Sequence, residues 1–435
     1  MSAAGSYHEY SSEGEYWGED ETDGAGVSPD SILLSLVQSY NWAGALARIS
    51  AFPAECKAVG EQGRTPLHVA CDHDAPAVVV EKLVRAYPEA TLMVGTSNMN
   101  PLHITCSSQN ASAQVVKVLL DAGHELQSSM RDLDGDTPLH AACRCGAPLE
   151  VLELLIEANP SVVNQRDYEG LTPLLRLWVR YFVILGDDVI DTVTGPSGLH
   201  GNLEEAWNRT VLLLKASNLG SLDESKHAIG YKFRAVHAAA AVDCPRPIVR
   251  LSTLIHPELL SEKDEKGRTP LSIAAQTEIF KVRDLTDEGY MLEDRIHGDD
   301  TFNDTENDDG PDSSSQPSVI DILLEAKPEA ASIPDNQGRL PLHLAISSGK
   351  TWSQGVKAIL KANPDALTSP DPTTGLQPFL QAASSSNPDL GTILELLKKD
   401  PSMAKEAITR RGSGSSEECI VQREQPHVAL RGLEL

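Results

Sequence analysis

Aromatic side chains are scarce in this chain of 435 residues, at 5% of the sequence. Small and aliphatic residues must therefore fill the core, as stacked helix pairs require. No apolar stretch approaches the ~20 residues that a membrane-spanning helix needs. Basic residues are also few, with 36 Lys and Arg against 63 Asp and Glu and a net charge of −27. That balance argues against nucleic acid or an anionic membrane as the main partner, and a basic protein surface is the better electrostatic match. The first thirty residues contain no Lys or Arg, so neither a secretory nor a mitochondrial leader is visible. Ser2 excludes N-myristoylation, and the C-terminus is not a prenylation box. HExxH, GxSxG, CxxC and kinase-type motifs are all missing, so neither an enzyme nor a cofactor is expected. Together these features predict an intracellular protein, cytoplasmic or nuclear, and monomeric.

What the sequence does contain is one phrase, used repeatedly. Thr65-Pro66-Leu67-His68 returns as Asn100-Pro101-Leu102-His103, Thr137-Pro138-Leu139-His140, Thr172-Pro173-Leu174, Thr269-Pro270-Leu271 and Leu340-Pro341-Leu342-His343. Weaker echoes stand at Arg234-Ala235-Val236-His237 and Gln377-Pro378-Phe379. Successive copies lie 35 or 37 residues apart, except for intervals of 62 and 71 that each hold one unit plus roughly thirty extra residues. Thr65 suits a helix N-cap, and Pro66 at the first helical position sacrifices no needed N–H. Leu67, Ala70 and Cys71 then share one apolar helical face. Gly146 and Gly349 read as turns out of this first helix. A second apolar stretch follows in each unit, for example Val79 to Val84 and Val151 to Ile156, and proline stops it at Pro88 and Pro160. Asp134-Gly135, Glu169-Gly170, Lys266-Gly267 and Gln337-Gly338 look like hairpin tips.

These phrases, the helix–turn–helix pattern and the Gly-containing hairpins together resemble the ankyrin-repeat family over residues 30–403. The resemblance implies an all-α fold: a solenoid of about nine helix–turn–helix units with hairpin-like connecting loops. Each unit buries its faces only against its neighbours. The family also implies a non-enzymatic protein-binding module, an adaptor or scaffold that grips a partner with its hairpin tips and inner helix face. The candidate contacts are Asp132, Asp134, Asp167, Tyr168, Glu169, Asp264, Glu265, Asp335 and Asn336, each placed just before a phrase. Tyr168 is the one aromatic among them and the expected hot spot. The unit at Arg234 has lost Thr and Pro, and two units are interrupted; these are expected to pack less regularly.

Three motifs invite other chemistry and fail on spacing. Gly349-Lys350-Thr351 ends like a phosphate-binding loop, but Leu344 stands where that loop needs its first Gly. His68-x-x-Cys71, His103-x-x-Cys106 and His140-x-x-Cys143 arise from the repeat itself. Helices ~8–10 Å apart do not gather ligands onto one zinc, so buried thiols and locally bonded histidines are expected. Asp304 to Gly310 has calcium-loop composition, but Thr305 and Gln316 fall where the register needs Asp and Glu.

The charge is unevenly spread. Residues 1–30 hold eight acids, and residues 282–312 hold twelve against Arg283 and Arg295, so these two stretches carry −18 of the −27. Such composition cannot bury enough apolar surface to order itself. We therefore expect an acidic disordered tail at 1–29, insertions at about 186–202 and 282–317 on one edge of the solenoid, and a flexible tail at 404–435. An alternative follows: the acidic segments bind a basic partner while the repeats act as a passive platform.

Overall fold

The computed structural model describes residues 31–401 apart from 186–192, 194, 220–232, 278–317 and positions 124, 243, 386–387 and 400. The expected terminal tails, the acidic insertion, the calcium-like stretch and residues 186–192 and 194 of the 186–202 insertion lie outside the described residues. Those that are described form helices joined by turns, with no strand among them.

The helices come in consecutive antiparallel pairs: α1 (Ile32–Gln38) with α2 (Trp42–Ala51), α3 (Pro66–Asp72) with α4 (Ala77–Ala86), α5 (Pro101–Cys106) with α6 (Ala113–Ala122), and α7 (Pro138–Cys145) with α8 (Leu149–Ala158). Two longer helices follow, α9 (Pro173–Leu185) and α10 (Gly201–Leu219). The stack continues through α11 (Ala235–Ala241), α12 (Arg246–Ile255), α13 (Pro270–Gln276), α14 (Val319–Ala326), α15 (Pro341–Ser347), α16 (Lys357–Ala362), α17 (Pro378–Ala383) and α18 (Leu390–Lys399). First helices pack on first helices and second on second from α1 to α10, giving two layers; at the interrupted unit α10 packs on α11, and the first-helix layer resumes from α11 through α13 to α15 and α17. The leucine of every phrase is buried between them: Leu67, Leu102, Leu139, Leu174, Leu271 and Leu342.

The phrase builds each first helix by reciprocal capping. Asn100 Oδ1 accepts from the His103 N–H at 2.9 Å, and Thr269 Oγ1 accepts from the Ser272 N–H at 3.2 Å. In return, the backbone N–H of Thr65, Asn100, Thr137 and Leu340 donates to Nδ1 of the histidine three residues on. Histidine thus does the work that Glu or Gln performs in the usual capping box. The opposite ring nitrogen reaches the next unit. Nε2 of His68, His103, His140, His237 and His343 donates to the carbonyls of Met93, Asp136, Leu171, Glu262 and Ser369, at 2.9–3.2 Å. A donating Nε2 and an accepting Nδ1 specify the neutral ring. Burial favours the same state, pushing His68 and His140 down to about 4.

Departures from the phrase have visible consequences. At Arg234 no side chain caps α11, and the buried Nδ1 of His237 has no hydrogen-bond partner. Gly146 ends α7 in the left-handed region at φ 73°, as its place after the first helix predicts. Gly349 turns likewise after α15 (φ 76°), and the Lys350 amine bonds back to the Thr277 carbonyl at 2.9 Å. Cys71, Cys106 and Cys143 are buried free thiols, one per unit, and burial pushes Cys71 up to about 12. Among the described residues, no helix is long and apolar enough to cross a membrane, and no group of three or more His, Cys, Asp or Glu is arranged to hold a metal.

Candidate functional site

Before the phrases at Thr137, Thr172, Thr269 and Leu340 the chain makes a tight turn around one aspartate. Asp132 Oδ1 accepts from the N–H groups of Asp134 (3.0 Å) and Asp136 (2.8 Å). Asp264 does the same for Lys266 and Arg268, and Asp335 for Gln337 and Arg339. Asp167 accepts from Leu171. The backbone closes the turn, with Asp132 N–H donating to Asp136 O and Gly135 N–H donating to Asp132 O. Gly135, Gly170, Gly267 and Gly338 take positive φ, between 75° and 83°, as the Asp-x-x-Gly spacing requires. The second carboxylate oxygen is held by arginine: Asp167 by Arg176 (2.6 Å), Asp264 by Arg268 (2.9 Å) and Asp335 by Arg339 (3.1 Å).

This geometry divides the nine candidate residues. Asp132, Asp167 and Asp335 are buried, Asp264 is half-buried, and all four turn their carboxylates inward to hold the tip together. Asp134, Tyr168, Glu169, Glu265 and Asn336 face solvent. Asp134, Tyr168 and Glu169 come together on two adjacent tips. Glu265 and Asn336 form a separate pair further along, where the Asn336 amide lies against Gly267.

The first tips are also bonded to one another. Thr96 N–H donates to Gln62 O, Leu133 N–H to Ser97 O and Tyr168 N–H to Asp134 O, at 2.9–3.3 Å. The Arg131 guanidinium reinforces the run by donating to Gly135 O and Arg166 O. The Tyr168 ring lies over the preceding tip so closely that a Cβ on Gly135 would stand 2.7 Å from its Cγ. Only glycine fits beneath it. Tyr168 is nevertheless 71% exposed, and Leu133 on the neighbouring tip is 66% exposed. Sequence reasoning missed Leu133. The available signal was an apolar residue between the inward Asp132 and the outward Asp134, where a polar turn residue is usual.

Behind these tips lies an ion-pair network joining two units. Arg176 Nε stands 2.6 Å from Asp167 and 3.5 Å from Asp136, and its Nη1 stands 2.9 Å from Glu169. Arg144 Nε approaches Asp136 at 3.2 Å. Asp136 is 1% exposed, and neither carboxylate oxygen gains an aligned hydrogen bond. Burial pushes its pKa up to about 6, against the pull of Arg176 and Arg144. Arg176 thereby fixes both Asp167 and Glu169, on either side of Tyr168.

Residues 79–167 match the family model described as ankyrin repeats, in three copies. The match covers the Asp132 tip and ends at the aspartate that opens the Tyr168 tip. No curated protein matches the chain.

Proposed function

Because the chain is an ankyrin-repeat protein, a family of protein–protein interaction modules, we propose that it is a non-enzymatic adaptor or scaffold. Its principal contact surface is the pair of tips bearing Leu133, Asp134, Tyr168 and Glu169. The observation that carries this reading is the exposure of Leu133 and Tyr168 on adjacent, mutually bonded tips. Isolated surface hydrophobics are ordinary. Two large ones on a backbone held by hydrogen bonds form a preorganised anchor of the kind that dominates interface energies. The flanking carboxylates suit a partner segment that combines an apolar residue with Lys or Arg. Glu265 and Asn336 are secondary contacts, while Asp132, Asp167, Asp264 and Asp335 act by shaping the tips.

The test compares the full chain with Leu133→Ala/Tyr168→Ala in affinity capture with quantitative mass spectrometry. Proteins bound by the tips should be depleted by the double substitution and recovered by Tyr168→Phe. For a confirmed partner, Tyr168→Ala alone should cost about 2 kcal/mol. An unchanged set of captured proteins would remove the tips from consideration. The concentration of −18 of the net charge in 1–30 and 282–312 supports the alternative, in which the acidic segments do the binding. A complex formed by those segments should weaken steeply with added salt, and one seated on the Leu133–Tyr168 surface much less.

A further inference from the structure

The last described helix, α18, differs from the second helices before it. In the units of α4, α8, α12, α14 and α16 the proline that follows the helix fixes a common register. Four and eight residues before that proline the side chains are buried in all five units, for example Ile156 and Leu152 in α8 or Leu324 and Ile320 in α14. In α18, counted back from Pro401, the same places hold Leu397 and Ile393, and both are only partly buried. Seven residues before the proline the five helices carry a charge, on Glu81, Glu153, Arg250, Asp321 and Lys357. α18 instead carries Leu394, which is 53% exposed, and Leu390 one turn earlier is 77% exposed. Leu390, Ile393, Leu394 and Leu397 fall at i, i+3, i+4 and i+7, the spacing of a helix face that packs on a neighbour. A repeat that ends a stack normally turns a polar face outward.

We propose that this face is the docking surface for residues 401–435 of the same chain, which seat on α18 as a further, degenerate unit. Pro401-Ser402-Met403-Ala404 repeats the turn that ends earlier second helices, Pro160-Ser161-Val162-Val163 and Pro364-Asp365-Ala366-Leu367, in which the third and fourth residues are buried. Gly412 stands eleven residues after Pro401, as the tip glycine Gly375 stands eleven after Pro364. Ser415 with Glu418 three residues on has the composition of a capping box. Pro426 follows Ser415 by eleven residues, as Pro148 follows Thr137 and Pro388 follows Gln377. In that register Cys419, Ile420 and Val421 take the places of the buried Ala141, Ala142 and Cys143, and Ala429, Leu430 and Leu433 those of Val151, Leu152 and Leu155. Ser416 and Glu417 replace the Pro and Leu of the phrase, so this unit is held less firmly than its predecessors.

The occupant is the chain itself and not a second copy. One helix of 10 residues offers far less than the ~1,200 Å² that a stable complex buries. A segment joined directly to the helix it covers is held at an effective concentration in the millimolar range, so a small apolar face is enough. The stripe is then a contact of the fold, and it does not compete with the Leu133–Tyr168 tips for a partner.

The experiment follows hydrogen exchange by mass spectrometry in the full chain, in Leu394→Glu, in Leu430→Glu/Leu433→Glu and in the triple substitution, with sedimentation of each protein at the same concentration. Leu394→Glu installs a charge of the kind that the interior units carry, so on a bare surface it would leave α18 as it was. Beneath a docked segment it should speed exchange in α18 several-fold. The substitutions at Leu430 and Leu433 should do the same from the other side of the contact, and the triple substitution should be no faster than either alone. Peptides from α3 to α6 should exchange at an unchanged rate in every variant, which separates loss of the contact from loss of the fold. Exchange in α18 that ignores the substitutions at Leu430 and Leu433, or additive effects from the two sides, overturns the proposal. So does a full chain that sediments as a dimer and becomes a monomer only with Leu394→Glu, because a second copy then covers the stripe.

Discussion

At the scale of single residues, histidine carries more of this structure than its place in the phrase suggests. The ring caps its own helix through Nδ1 and reaches the next unit through Nε2, and the bond that Nδ1 accepts requires it to be neutral. In the unfolded chain the ring takes a proton near 6.5, whereas burial holds folded His68 and His140 at about 4. Between those values the unfolded state binds more protons, so stability falls as the pH drops from about 6.5 towards 4 and is constant above that window. Each ring contributes on the order of 3 kcal/mol across it. Asp136 works in the opposite sense, since its folded pKa of about 6 exceeds its unfolded value and acidification favours the fold. Two rings outweigh one carboxylate, and His103 and His237 are shifted in the same direction as His68. Urea unfolding midpoints should therefore decline from about pH 7 to about pH 4.5, and His140→Gln should flatten the decline. An equal slope in both proteins would refute the linkage. The capping half of this role was legible, because a histidine three residues after Thr or Asn sits at the capping position. The inter-unit half was not, because the Met93 and Leu171 carbonyls that accept from Nε2 belong to loops whose path local spacing does not reveal. The inward turn of Asp132, Asp167 and Asp335 escaped for a similar reason: a turn aspartate reads as exposed until its bonds to the backbone are seen.

At the scale of elements, the regular units follow from Pro at the helix start, the buried leucine and the glycine turn, and all three were legible. The interrupted unit follows other rules. α9 and α10 are the longest of the described helices, and α10 carries Arg209, which returns to the turn between α7 and α8. Its bonds to Gly146 O, Ala147 O and Tyr181 Oη span more than sixty positions of sequence for the two carbonyls. Trp178 on α9 adds a bond from its indole N–H to Thr210 Oγ1 at 2.8 Å. Long-range side-chain bonds thus replace the lost regularity of the phrase, so the unit is anchored to its predecessor despite its insertion. Nothing in the local sequence of α10 marks Arg209 as buried, because arginine is rarely so and its partners lie in another unit. Arg209→Ala leaves the Gly146 and Ala147 carbonyls, the Tyr181 hydroxyl and Glu205 without their donor. It should cost on the order of 3 kcal/mol. Hydrogen exchange is expected to accelerate first in α9 and α10, with α3 to α6 unchanged. Uniform acceleration along the chain would show that the units do not open separately.

For the whole molecule, the stack is a row of neighbours, and any element that does not separate two packed faces is removable. Deleting residues 284–316 puts the acidic insertion to that test. The two helices that flank it hold one another: α13 and α14 are packed together, and α14 also packs on α12. The ends are fixed independently. Thr277 Oγ1 donates to the Ala240 carbonyl, its own carbonyl accepts from Lys350, and Ser318 caps α14 through a reciprocal pair with Asp321. Removing residues 284–316 leaves these anchors in place. It shortens the connection roughly five-fold, lowering its closure cost by about 1 kcal/mol. It also removes twelve carboxylates against Arg295, which relieves self-repulsion in a chain of net charge −27. Both effects favour the folded state, so the deleted protein should melt at the same temperature as the full chain or slightly higher. Its advantage should shrink as added salt screens the repulsion. A large fall in melting temperature would mean that the insertion packs on the solenoid and belongs to its structure. An unchanged or raised melting temperature, combined with loss of a captured partner, would assign the insertion to recognition and leave the repeats as its platform.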